Sequence, residues 1–394
     1  MKRTLVGLCV CVFAVLPAVA QSESFGEFES AHYRVRSELG RSHAEETAVK
    51  LEALMELFNS YFLFAPEELP AKLRVRIFRD KSAYDQYLRR IIDGTRDDFV
   101  YLHYTDIARS ELVGYSTDDE QFDVSLAHQG FIQFLRAFIP NPPLWIREGF
   151  AVFFEKSMYD PELDAAVYRE NLAWLDTLRA IVDGSAGLTP LAFDEVVGID
   201  VESARNNVEV FYPTAWGMVS FMVNSENRRN NRLLWDAISS LRADASMSAN
   251  VDSINRNVFR WVDHDAVIDE FVEYVNERRS FRGLVEDGMR LYDDERFDEA
   301  EDAFVRALNL DEDNHIPYYY LGLINYARGS FGLAEFYYQT ALDKGAADEL
   351  TLFALGVNAY ADNRFAEAAT YLERTASADA PFAETARDIL RRIE

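Results

Sequence analysis

The last third of the chain repeats three kinds of residue at an interval of 34 positions, the distance from Gly288 to Gly322. Small residues form two of the repeated columns and large apolar residues form the third. The columns are Gly288, Gly322 and Gly356; Ala300, Ala334 and Ala368; and Phe304, Tyr338 and Leu372. Small residues let two helices approach closely, and large ones fill the spaces between successive units. The pattern predicts stacked helix pairs.

The interval and its columns resemble the tetratricopeptide repeat, a helix–turn–helix unit. The resemblance implies three repeats in residues 279–394, with a capping helix from Ala380 to Ile393. It also implies that the first helix of each unit lines a concave groove for a protein or peptide partner. The groove positions are Val285, Tyr319 and Phe353; Met289, Leu323 and Val357; and Tyr292, Tyr326 and Tyr360. Tyrosine offers a peptide both an apolar face and a hydroxyl group. Two alternatives stay open: these side chains pack between helices, or the chain's own N-terminal domain fills the groove.

A second motif lies within Ala127–Glu155. On a predicted helix, His128–Ile132 reads HQGFI, and Trp145–Ala151 follows with WIREGFA. Together they resemble the peptidase MA-like gluzincins, zinc peptidases whose helix reads H-E-x-x-H and whose third ligand is the glutamate of W-x-x-E-G-x-A. The resemblance implies zinc ligands at His128, at position 132 and at Glu148, with a catalytic base at position 129.

Two working positions of this site are replaced. Ile132 has no lone pair to offer a metal, and Gln129 cannot accept a proton at neutral pH. We therefore expect no catalysis, no bound metal and no cofactor, so that His128, Gln129, Ile132 and Glu148 are vestigial positions. Two alternatives stay open. One is a zinc site rebuilt from His103, His128 and Glu148, and the other is an active zinc metallopeptidase with an atypical ligand set, whose repeats select substrates.

The resemblance extends from about residue 25 to about residue 278 as an order of elements. Ser30–Val35 is similar to the family's first strand, S-x-H-F/Y-x-V, and Tyr212–Trp216 to its Y-x-x-A-W helix. It implies an α+β fold of the thermolysin-like type, with a small mixed sheet plus helices, ahead of an all-α tetratricopeptide superhelix. The predicted domains are residues 21–278 and 279–394.

Hydrophobic periodicity predicts the individual elements. Alternation indicates strands at Ala31–Val35 and Leu73–Phe78, and a capping box at Ser42 starts a helix between them. A hairpin at the sheet edge is predicted from Asp98–His103 and Glu111–Tyr115. Helices are predicted at Asp123–Phe138, Leu163–Val182, Thr214–Asn224, Arg232–Arg242 and Asp265–Arg278.

The first twenty residues have the composition of a secretory signal peptide. Lys2 and Arg3 precede an apolar run, Leu5–Leu16, and Ala18–Ala20 provides small residues at the cleavage positions. Cleavage after Ala20 would send the chain to the periplasm or outside the cell. Both cysteines lie in this segment, so the processed chain could form no disulfide and would rely on apolar burial.

Charge limits the kinds of partner. The formal net charge of −27 at pH 7 repels phosphate backbones, so we expect no nucleic acid partner. We expect no membrane insertion, because no later segment is long and apolar enough to span a bilayer. The sequence thus predicts an exported, non-catalytic protein-binding or scaffold protein, in which a pseudo-metallopeptidase domain is joined to a tetratricopeptide interaction module.

Overall fold

The computed structural model describes residues 25–376 and 382–393. The predicted signal peptide, residues 1–20, lies outside them. The fold is α+β, mostly helical with a small mixed sheet, which confirms the mixed class expected from the sequence. The chain forms two compact units. The first contains the described residues up to Ala137 and Met158–Val167, and the second contains Phe138–Ser157 and the described residues from Tyr168 onward.

The first unit contains seven strands and three α-helices in its described residues. The strands are β1 (Gly26–Glu29), β2 (Tyr33–Ser37), β3 (Leu73–Phe78), β4 (Val100–Leu102), β5 (Glu111–Tyr115), β6 (Met158–Asp160) and β7 (Ala165–Val167). The helices are α1 (Arg41–Phe62), α2 (Lys81–Leu88) and α3 (Asp119–Phe138). Five strands form one sheet of order β1-β2-β3-β5-β4, in which β2, β3 and β5 are parallel and the two outer strands are antiparallel. A separate antiparallel pair joins β6 to β7.

The core of the first unit follows from the alternation in β2 and β3, because successive strand side chains point to opposite faces of a sheet. Val35 lies opposite Val75 in the parallel register, and both are buried. Helices α1 and α3 pack their aromatic residues together, since Phe58 meets the rings of Phe131 and Phe134 at centroid distances of 5.4 and 5.8 Å. This packing fixes α3, the helix that carries the predicted site residues.

Most predicted elements of the first unit are confirmed, including Leu73–Phe78 in full and the hairpin of β4 and β5 at the sheet edge. The capping box at Ser42 is wrong. Helix α1 begins at Arg41, and its N-cap is Gly40, which makes no side-chain cap hydrogen bond. Gly40 has a φ of 105°, a conformation that favours glycine, so the chain turns into the helix before Ser42 is reached.

Helices form the second unit. The first part contains α4 (Leu144–Phe154), α5 (Leu175–Val182), α6 (Phe193–Gly198), α7 (Val201–Asn206), α8 (Val208–Asn224), α9 (Arg228–Ser239), α10 (Met247–Asn257) and α11 (His264–Glu277). The last part contains α12 (Phe281–Asp293), α13 (Phe297–Leu308), α14 (His315–Ala327), α15 (Phe331–Asp343), α16 (Asp348–Ala361), α17 (Phe365–Thr375) and α18 (Ala383–Ile393). The predicted capping helix is thus observed as α18, and residues 377–381 lie outside the described part. Nowhere in the described ranges is a helix both long and apolar enough to cross a membrane.

The helix predicted at Leu163–Val182 is wrong over its first half, because α5 begins only at Leu175. The turn between β6 and β7 occupies the start of the predicted helix. The Asp160 carboxylate accepts the backbone amides of Glu162 and Leu163 at 2.8 and 3.3 Å. Asp164 then adopts a φ of 48°. Such side-chain bonds to the backbone compete with helix formation, and apolar periodicity does not report them.

Each of the three helix pairs, α12–α13, α14–α15 and α16–α17, closes around the glycine column. A β-carbon on the glycine would lie under 3 Å from the large residue of the third column. The distances are 2.8 Å from Gly288 to Phe304, 2.5 Å from Gly322 to Tyr338 and 2.7 Å from Gly356 to Leu372. The alanine column is fully buried. The repeated residues therefore set the spacing within every helix pair.

Side-chain hydrogen bonds connect the first helix pair to the helices before it. Ser280, the N-cap of α12, accepts the Gly283 amide at 3.1 Å and donates to the Asp176 carboxylate of α5 at 2.9 Å. Arg179 of α5 donates to the carbonyl oxygen of Arg278 at 2.6 Å. The predicted boundary between residues 278 and 279 therefore lies within one compact unit.

The glycine contacts predict the effect of one added methyl group. Gly322→Ala should lower the free energy of unfolding by about 1–3 kcal/mol, because the methyl group would overlap the Tyr338 ring. Gly332→Ala is the matched control, since its β-carbon meets open space, and should stabilise by about 0.5 kcal/mol. Urea denaturation followed by circular dichroism measures both. Equal stability of the two variants would contradict the packing.

Candidate functional site

Helix α3 places three of the predicted site positions in the first unit, whereas Glu148 belongs to the second. His128 and Gln129 are half-buried, and Ile132 is buried. His103, the alternative ligand, follows β4, and its ring lies 5.8 Å from the ring of Tyr101. Within residues 25–376 and 382–393, no three or more His, Cys, Asp or Glu side chains are grouped so that they could hold a metal ion.

The Gln129 side chain forms a hydrogen bond with the five-stranded sheet. Its side-chain oxygen accepts a hydrogen bond from the backbone amide of Tyr101, with an N···O distance of 3.3 Å. Tyr101 lies on β4, one of the two edge strands of the five-stranded sheet. Amides on the outer side of an edge strand lack a strand partner and can pair with another chain. The amide side chain at position 129 therefore protects the sheet edge.

Glu148 forms an ion pair with the adjacent residue, Arg147. Glu148 lies on α4 and is buried, with 6 % of its surface exposed. Its Oε1 atom accepts hydrogen bonds from Nε and Nη2 of Arg147, at 2.6 and 2.5 Å. Burial, with a further contribution from the Glu148 carboxylate, raises the pKa of Tyr212 on α8. A buried carboxylate needs such a cation, so Glu148 is balanced by the protein itself.

A close contact between α4 and α8 brings together two segments that the sequence singled out separately. A β-carbon on Gly149 would lie 2.5 Å from the carbonyl oxygen of Ala215. Only glycine lets the two helices approach this closely. The WIREGFA segment and the Tyr212–Trp216 segment therefore form one packed helix pair, and this pair positions Glu148.

Eight of the nine predicted groove residues keep part of their surface exposed. Val285 is the exception, with 7 % exposed, and Met289 is the most open, with 37 %. The half-buried residues are Tyr292, Tyr319, Leu323, Tyr326, Phe353, Val357 and Tyr360. None of the nine carries a charge. The three columns thus present a partly exposed surface of apolar and tyrosine side chains.

The tyrosine column is held in the same way in every helix pair. Each tyrosine packs against the phenylalanine that begins the second helix of its own pair. The ring pairs are Tyr292–Phe297 at 5.7 Å and 51°, Tyr326–Phe331 at 6.1 Å and 55°, and Tyr360–Phe365 at 5.7 Å and 55°. We call these three tyrosines the tyrosine ladder. The similar distances and angles mean that the three tyrosine rings have nearly the same orientation relative to their phenylalanine partners.

Packing between helix pairs accounts for part of the predicted groove. Tyr292 contacts Tyr320 of the next pair, with a centroid distance of 5.6 Å. Phe353 stacks on Phe382 at 4.9 Å and 23°, so residues near the C-terminus of the chain cover it. The columns therefore pack between helices and also remain partly exposed.

A polar cleft of about 800 Å³ was not predicted from the sequence. Its walls come from α11, from the loop after α8 and from the first helix pair. Helix α11 contributes Glu270, Glu273 and Glu277, whose spacing puts them on one helix face. Asn227 donates to the Glu270 carboxylate at 3.0 Å. The glutamate spacing was the available signal, but the other walls are distant in sequence and carry no shared pattern.

Comparison with known proteins adds no family assignment. No protein-family model matches the chain, and a search of curated proteins gives no match.

The Gln129 hydrogen bond predicts a stability difference between two substitutions. Gln129→Leu should lower the free energy of unfolding by about 1–2 kcal/mol, because the Tyr101 amide loses its acceptor. Gln129→Glu keeps an acceptor oxygen at the same place and should lose less. Urea denaturation of the two variants at pH 7 provides the measurement. A leucine variant as stable as the parent chain would show that the bond is dispensable.

Proposed function

We propose that this chain is an exported, non-catalytic protein-binding protein, in which a degenerate peptidase MA-like domain is joined to tetratricopeptide repeats. The observation that carries the proposal is the tyrosine ladder. Its three rings recur at the repeat interval, share one packing geometry and remain half-exposed. A recurring surface of this kind fits a partner that is itself extended, such as a polypeptide segment.

The fixed orientation of the ladder favours binding. A ring already held against Phe297, Phe331 or Phe365 loses little side-chain freedom when a ligand contacts its exposed part. Tyrosine also supplies a hydroxyl at the edge of an apolar ring, so one side chain can contact both an apolar residue and a backbone group. The nine column residues carry no charge, which argues against a mode that clamps the terminal carboxylate of a peptide.

The residues at the peptidase-like positions do not fit a zinc centre. Ile132 has no donor atom, and the Gln129 oxygen already accepts the Tyr101 amide. Glu148 is paired with Arg147, so a cation at Glu148 would compete with the guanidinium group for the carboxylate. We assign Gln129 and Glu148 to stabilisation of the fold.

Ladder substitutions test peptide binding. The probe is a library of random 15-residue peptides displayed on phage, from which the parent chain selects binders. Tyr292→Ala, Tyr326→Ala and Tyr360→Ala combined should weaken binding of the selected peptides at least tenfold, because three aromatic contacts are lost together. Affinities are measured by isothermal titration calorimetry.

Two further variants separate binding from folding. Tyr→Phe at the same three positions keeps the ring packing and removes only the hydroxyl groups. Tyr318→Ala and Tyr337→Ala combined is the matched control, since both residues lie on the repeats outside the ladder. The control should bind like the parent chain. An alanine ladder that is folded and binds normally would refute the proposal.

A zinc assay tests the non-catalytic assignment. Purified protein incubated with zinc and then dialysed should retain far less than one zinc ion per chain, because position 132 offers no donor atom and Glu148 is paired with Arg147. Elemental analysis gives the ratio, and a fluorogenic peptide mixture reports cleavage. About one zinc per chain, together with cleavage that His128→Ala abolishes, would instead establish the metallopeptidase alternative.

A further inference from the structure

An apolar cavity of about 210 Å³ lies inside the second unit, among α5, α6, α8 and α11. Its floor is formed by residues with at most 4 % of their surface exposed: Leu178, Ile181, Val196, Met218 and Met222. Its rim is formed by partly or fully exposed residues: Val182, Pro190, Leu191, Ile268, Phe271 and Val272. The cavity is therefore closed at the bottom and open on one side.

The cavity lining offers almost no hydrogen-bonding groups to water. Of the lining residues, all of which the structure describes, Thr214 is the one with a polar side chain. Its hydroxyl donates to the carbonyl oxygen of Val210 at 2.7 Å, so this donor is used within α8. A well-ordered buried water needs two to four polar partners, and this lining offers it almost none. The cavity chemistry therefore selects an apolar occupant.

The size of the cavity also favours an occupant. An engineered apolar cavity of about 150 Å³ binds benzene, and the present cavity is larger. A ligand of this size would remove much of the apolar lining from water, which is favourable in proportion to the apolar area covered. Met218 and Met222 line the floor with flexible, polarizable side chains, which adapt readily to the shape of a ligand.

The open rim favours an alkyl chain with a polar end over a compact hydrocarbon. A compact hydrocarbon needs no exit, whereas a single alkyl chain with a polar end needs a closed floor and an open mouth. Five of the rim residues carry aliphatic side chains, which suit the last methylene groups before the polar end. We propose that this cavity binds the alkyl chain of a small amphiphile, independently of the tyrosine ladder.

The polar cleft lies directly behind one wall of the cavity. Phe221 lines both spaces, and its ring contacts Phe271 of the cavity at 5.7 Å and Tyr274 of the cleft at 5.6 Å. A ligand that fills the cavity would thus press on a ring that is also part of the cleft. Ligand binding in the cavity should therefore be detectable both in the cavity and in the polar cleft, because Phe221 lines both.

Methionine methyl signals provide the test. The probe is 1-octanol, added to the full chain labelled with 13C at the methionine methyl groups. The Met218 and Met222 signals should shift with saturable binding, while those of Met247 and Met289, which do not line the cavity, should stay unchanged. The diol 1,8-octanediol, of equal length, should bind at least tenfold more weakly, because its second hydroxyl would be buried without a partner.

A filled cavity serves as the second test. Val272→Phe at the rim should weaken 1-octanol binding at least tenfold, while Val305→Phe, on the exposed face of α13, should leave it unchanged. If Val272→Phe fails to fold, the comparison of octanol with octanediol on the parent chain still decides. No shift of Met218 and Met222 up to the solubility limit of octanol would overturn the proposal, as would equal binding of the diol.

Discussion

The close approach of paired helices at glycine is the constraint on which the second unit depends. Gly149 brings α4 within reach of the Ala215 carbonyl oxygen, and a glycine faces a large side chain in each of the three helix pairs. A protein interior is packed too densely for a single methyl group to be absorbed there without moving a helix. The positions of Glu148 and of the tyrosine ladder are consequences of these contacts, because both lie on helices whose spacing glycine sets.

Stability and catalysis make opposite demands on the positions that resemble a peptidase site. A catalytic base must keep a lone pair available to the substrate, and a metal ligand must keep one available to the ion. In this chain the Gln129 oxygen serves an edge-strand amide, and the Glu148 carboxylate neutralises Arg147 in a buried environment. The described contacts of these two side chains therefore stabilise the fold.

Regular sequence patterns made many of the strands and helices predictable. Helix boundaries that depend on local side-chain hydrogen bonds or on backbone angles were not predictable in this way. The alternation in Leu73–Phe78 and the 34-residue columns follow directly from the geometry of strands and helix pairs, so both were readable from residue type alone. Gly40 and Asp160 act through a backbone angle or a carboxylate, which apolar periodicity does not register. The cleft and the cavity could not be foreseen, because their walls come together only through tertiary packing. The peptidase-like positions could be located, but their hydrogen-bond partners could not.

The hydrogen bond between Ser280 and Asp176 makes the start of the first repeat depend on a helix outside the repeats. The first turn of α12 is completed by Ser280, and the hydroxyl of Ser280 is oriented by a carboxylate from α5, a helix outside the repeats. The N-cap of the first repeat helix is therefore oriented by a residue that lies outside the repeats. Transplanting the three repeats onto another protein would require a substitute for that anchoring carboxylate, whereas duplicating an internal repeat would not.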